Sequence, residues 1–83
     1  MGVLFIMEAI ELATILYQMY NNADRNEATC QIHLFGIIYA SELQSCGHPL
    51  RHIVKLSGIS MGYLPEISKG IKLSKYVQLK ENN

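Results

Sequence analysis

Over Val3 to Asn21 the polar residues Glu8, Glu11, Thr14, Gln18 and Asn21 share one arc of a helical wheel, and apolar residues from Val3 to Tyr20 fill the rest. The period predicts a helix over 3–21 whose apolar arc covers roughly 200°, about twice the stripe needed to sit on one core. Such a helix needs cover on two sides, either from its own chain or from a second copy, and the shortness of the chain favours a second copy. Asn21 and Asn22 suit the stop, because Asn tolerates the left-handed conformation. A second helix is predicted over 25–43. Asp24 and Glu27 have capping-box spacing, and Ala28, Ile32, Phe35, Tyr39 and Leu43 recur at helical intervals. Gly36 inside it costs about 1 kcal/mol relative to Ala, which a close helix crossing, against the first helix for instance, would explain. Gln44 to His48 breaks the pattern.

Pro49 suits the first position of a third helix, with Leu50, Ile53, Val54 and Leu56 inward. A tight turn, Ser57 to Ser60, leads to a fourth helix that Ser60 would cap, that carries Tyr63, Leu64 and Ile67 inward and that stops at Gly70. Two short helices joined by a Gly-containing turn make a helix-turn-helix over 49–70. Beyond Gly70, Ile71, Leu73, Val77 and Leu79 alternate with polar neighbours in a two-residue period. This predicts a short strand over 71–79, which would pair with its equivalent in a second subunit, fold back as a wing, or form a short helix instead.

Leu50 to Gly70 resembles the helix-turn-helix of the phage repressor and Cro superfamily. The resemblance rests on Ile53, the small residue Ser57, Gly58 at the turn, Ile59 after it, and Leu64 and Ile67 in the second helix. Gly58 permits the positive φ of the turn and Ile59 plugs the corner. Two positions depart from the pattern. Val54 stands where the superfamily favours Ala, and Pro65 falls near the centre of the recognition helix, clashing if that helix begins at Met61 and leaving barely more than one turn if it begins after Leu64. The resemblance implies that this helix enters the major groove with Met61, Gly62, Glu66 and Lys69 outward. None of these is Arg, Asn or Gln, the side chains that read bases bidentately.

Charge changes this picture. The chain of 83 residues has zero net charge, yet residues 1–50 carry −4 and residues 51–83 carry +4. Arg51, Lys55, Lys69, Lys72 and Lys75 are therefore expected on phosphates, with Ser60, Met61, Tyr63 and Glu66 completing the candidate DNA-binding set.

Composition otherwise narrows the classes. An apolar fraction of 49% excludes a disordered chain. Cys30 and Cys46 are too few for a disulfide scaffold and lie in no Cys-x-x-Cys motif, which fits a cytoplasmic protein. The apolar opening lacks a basic n-region and is interrupted by Glu8 and Glu11, so neither a signal peptide nor a membrane span is expected. Cys30, His33, Cys46, His48 and His52 include a Cys2His2 set, but the spacing matches no common finger; buried thiols and solvent-facing or capping histidines are expected, with no metal and no cofactor. No phosphate loop or catalytic pair appears, so no enzyme is expected.

The sequence thus predicts an all-α single domain over 1–83, with an embedded helix-turn-helix and a short C-terminal strand. Its expected role is that of a homodimeric binder of double-stranded DNA, a transcriptional regulator holding mainly the phosphate backbone. The alternative is a dimeric protein-interaction module with the same shape and no DNA binding.

Overall fold

The computed structural model describes residues 7–77. Among these residues five α-helices follow one another: α1 (Ala9–Asn21), α2 (Ala28–Ile38), α3 (Ala40–Ser45), α4 (Leu50–Ser57) and α5 (Leu64–Leu73), with a 3-10 turn, Met61–Tyr63, leading into α5. The fold is all-α, and no strand occurs among the described residues.

α1 starts at Ala9, later than the expected Val3, and residues 1–6 lie outside the described part. Its N-terminus closes locally: the Glu8 backbone N–H donates to the Glu11 carboxylate at 3.0 Å, and that charge sits at the positive end of the helix. Ala9, Leu12, Ala13 and Leu16 are buried. α4 and α2 both pack on this helix, so much of its apolar arc is covered by its own chain. Only Ile10 and Tyr17, 54% and 48% exposed, are left as large apolar side chains facing outward.

The loop after α1 contains a left-handed Asn, but it is Asn26, at φ 68°, and not Asn22, which closes α1 at φ −93°. The positive φ keeps the preceding residues out of a helix, so α2 begins at Ala28 and not at 25. No side chain caps it; the Glu27 N–H instead donates to the Asp24 carbonyl at 2.9 Å. The helix expected to reach 43 is broken at Tyr39, whose backbone leaves the helical region at φ −106°, ψ 20°. Ile37 and Ile38, consecutive β-branched residues, weaken the helix just before the break, and the Tyr39 ring packs 5.4 Å from that of Phe35.

Phe35, Leu12, Leu16, Ile32, Ile53, Ile67 and Val54 are fully buried and bring α1, α2, α4 and α5 to one core. Burying each contributes about 1.5–3 kcal/mol. Val54, the bulky departure, is thus core. Leu56, expected inward, is 42% exposed, because it lies about 100° around α4 from the face made by Ile53, Val54 and Ser57.

Gly70 does not stop the helix it was expected to end. It is buried within α5, its Cα against Gly36 of α2, and the helix runs on to Leu73. The close crossing that Gly36 suggested is real, but its partner is α5. Continuation also replaces the expected strand: Ile71 to Leu73 are helical and Ser74 to Tyr76 form a turn, while Leu79 lies outside the described residues. A single strand would leave its backbone groups without a partner, whereas the helix satisfies them internally and lays Ile67, Gly70 and Ile71 on the rest of the fold.

Candidate nucleic-acid interface

The corner between α4 and α5 is built from four consecutive residues. Gly58 ends α4 at φ 81°, and its N–H bonds the Lys55 carbonyl. The buried Ser57 hydroxyl donates to the Val54 carbonyl at 2.6 Å and accepts the Ile59 N–H at 3.2 Å, tying both sides of the turn together. Ile59 is 9% exposed and plugs the corner. The Ser60 side chain accepts the Gly62 N–H at 3.2 Å and starts the 3-10 turn.

That 3-10 turn resolves the difficulty posed by Pro65. With α5 starting at Leu64, Pro65 occupies the second helical position, where its missing N–H has no intrahelical partner to lose. Because the helix continues through Gly70, the second helix of the motif spans ten residues and not one turn.

Arg51 and Lys55, one turn apart on α4, are exposed, as are Met61, Gly62, Lys69, Lys72 and Lys75. On the outer side of α5, Pro65, Lys69 and Lys72 succeed one another at four and three residues, a single strip, and Tyr76, 83% exposed, lies in the turn beyond the helix. Ser60 is exposed but uses its oxygen as a cap.

Two of the expected contact residues are turned elsewhere. Tyr63 is half-buried, its ring edge-on to that of Tyr20 with centroids 5.4 Å apart, and Tyr20, by hydrogen bonding and then by like charge, raises the Tyr63 pKa above the ordinary phenol value. Glu66, expected outward, points back to α2: its Oε1 accepts from His33 Nε2 at 3.1 Å, and its Oε2 pairs with Lys69 at 3.1 Å. Lys69 first, and His33 second, hold the Glu66 carboxyl below the ordinary range. Pro65 takes the place expected of Glu66 on the outer strip. Nothing in the sequence marks His33 as a partner of Glu66, since 33 positions separate them.

The other candidate chemistry does not assemble. Cys30 is exposed and Cys46 only half-buried, against the expectation of buried thiols; Cys30 stands on the outer side of α2, away from the Ile32 and Phe35 face. His48 and His52 stack at 4.9 Å, and no group of three or more metal-ligating side chains converges among the described residues.

Between Leu50 and Val77, then, five exposed cations share the surface with one acid that is already paired. The family model described as HTH-like domain matches residues 8–80. The chain belongs to the HTH-like domain family. The match takes in α1 to α3 as well as the motif, so the family reaches well beyond the stretch that resembles phage repressors and Cro, and it supports a helix-turn-helix without singling out that superfamily. No curated protein and no solved structure matches the chain. No helix among the described residues is long and apolar enough to cross a membrane.

Proposed function

We propose that this helix-turn-helix protein binds double-stranded DNA in a regulatory role, with α5 at the major groove and the phosphate backbone supplying most of the affinity. The observation that carries the reading is the exposed strip of Lys69 and Lys72 along the outer side of a ten-residue α5, with Lys75 exposed beyond it and Arg51 and Lys55 exposed on α4. Lysine ammonium groups neutralise phosphates as point charges, whereas base reading draws on Arg, Asn and Gln, which the outer side of α5 lacks. Binding should therefore be strongly salt-dependent and weakly sequence-dependent. Titration of a mixed-sequence duplex at increasing salt tests this.

In the same reading a homodimer would carry two copies of α5 about 34 Å apart, on successive turns of DNA. Ile10, Thr14 and Tyr17, exposed on one side of α1, are the surface such a dimer would use.

A second reading is favoured by a shallow groove of about 410 Å³ lined by Met7, Ala9, Ile10, Cys46 and Leu56 among others. It would make the protein an interaction module for an apolar partner segment. Light scattering together with DNA titration separates the two.

A further inference from the structure

Glu66 is the one acid between Leu50 and Val77, and two different bases hold it. A carboxylate only accepts hydrogen bonds, so His33 Nε2 carries the proton it donates to Oε1. Lys69 reaches both oxygens, Oε2 at 3.1 Å and the same Oε1 at 3.5 Å. The His33 and Glu66 side chains are 33% and 22% exposed, whereas Lys69 is 63% exposed. Of the three groups, Lys69 has the most freedom to leave.

We propose that His33 is a positioning residue for the DNA-facing Lys69: the two compete for Glu66, and protonation of His33 releases the Lys69 ammonium from α5 toward a phosphate. This rests on the DNA-binding reading above. With neutral His33, the Glu66 charge is matched by Lys69 alone, and the lysine is drawn along its own helix. A proton added at Nδ1 makes the imidazole cationic, its bond to Oε1 becomes charge-assisted, and Lys69 meets a carboxylate already neutralised. Engagement of Lys69 by a phosphate in turn leaves Glu66 to His33, so DNA binding and proton uptake favour one another.

Few other charges bear on the imidazole. α2 has no charged residue besides His33. From α5, Glu66 and Lys69 face it. α1 brings Glu11, whose carboxylate is engaged at the Glu8 N–H, and α3 brings Glu42, which makes no ion pair among the described residues. Tyr17 and Tyr20 of α1 and Tyr39 before α3 are the titratable phenols of the neighbouring segments. The stacked pair His48 and His52 precedes or lies within α4 and serves as the control.

Two readouts on the folded full chain test the proposal. The first needs no DNA: the Lys69 Cε resonance in NMR is followed from pH 8 to pH 5, the window in which imidazoles change charge. It should shift in the wild type and in His48→Gln plus His52→Gln, and stay flat in His33→Gln and Glu66→Gln. The second is duplex affinity over the same range at fixed salt. Wild-type affinity should rise about two- to fivefold on acidification, the size expected of one exposed pair. His33→Gln should lose that rise, and Glu66→Gln should bind more tightly than wild type at pH 8. A Lys69 resonance indifferent to His33, a pH dependence that survives His33→Gln, or weaker binding by Glu66→Gln at pH 8 in a folded variant would overturn the competition. If the resonance behaves as expected while no form of the protein binds duplex, the competition stands and the DNA-binding reading fails.

Discussion

Gly36 of α2 and Gly70 of α5 meet backbone to backbone. A Cβ on Gly36 would lie 3.0 Å from the Gly70 Cα and collide with the Ile67 carbonyl; one on Gly70 would lie 3.0 Å from the Gly36 Cα and collide with the His33 carbonyl. The neighbours are helix backbone, which cannot step aside as a side chain does. The crossing therefore sets how closely the candidate DNA-reading helix lies on its support. Gly36→Ala and Gly70→Ala should each lower stability by about 1–3 kcal/mol, the usual penalty for overfilling a packed site, even though Ala favours a helix by about 1 kcal/mol over Gly. Thermal unfolding followed by circular dichroism reads the sign. A gain in stability would mean that the helices are not in contact there.

The turn of the motif should respond differently. A Cβ on Gly58 meets nothing within 4 Å, so Gly58→Ala would suffer only from the left-handed backbone at φ 81°, costing about 1 kcal/mol. Ser57→Ala leaves the buried Ile59 N–H without its acceptor and should cost about 1–3 kcal/mol. Denaturant midpoints of the two variants should rank the serine change as the more damaging or equal.

Glu66 should also leave a mark on acid stability. Its pKa is lowered in the folded chain by Lys69 and then by His33. A carboxylate with a depressed folded pKa adds stability above its unfolded value, and this is lost as pH falls through the folded one. The wild type should therefore exceed Glu66→Gln in urea midpoint at pH 6, and the difference should shrink toward zero below about pH 4, near the ordinary Glu value. A difference that persists unchanged at pH 3 would show that the carboxylate is not charged in its bonds to α2 and α5.

Much of this fold is legible in the sequence because the signals are local. Gly58, Ile59 and Ser60 announce the turn by conformation and polarity within four residues, and the spacing of Leu12 and Leu16, or of Ile32 and Phe35, marks the buried faces. What escapes is set by contacts distant in the chain. Gly70 reads as a stop until Gly36 is found against it, and the same misreading turns the end of α5 into a strand. Glu66 reads as an outward residue until His33 is placed opposite. Pro65 looks disruptive until a 3-10 turn moves the helix start to Leu64. Charge polarity along the chain marks the basic surface, but which side of α5 it occupies depends on the side buried against α2.

Binding of a mixed-sequence duplex, followed by fluorescence anisotropy from about 50 to 200 mM salt, tests the DNA-binding account most directly. The wild type should bind at low salt and lose affinity with a log–log slope approaching about −4, as expected if most of five cations hold phosphates. Lys69→Glu plus Lys72→Glu, both at exposed positions, should fold normally, bind far more weakly and show a slope reduced by about two. Absence of wild-type binding at low salt, or an unchanged slope in the double variant, would contradict the assignment of this surface to DNA.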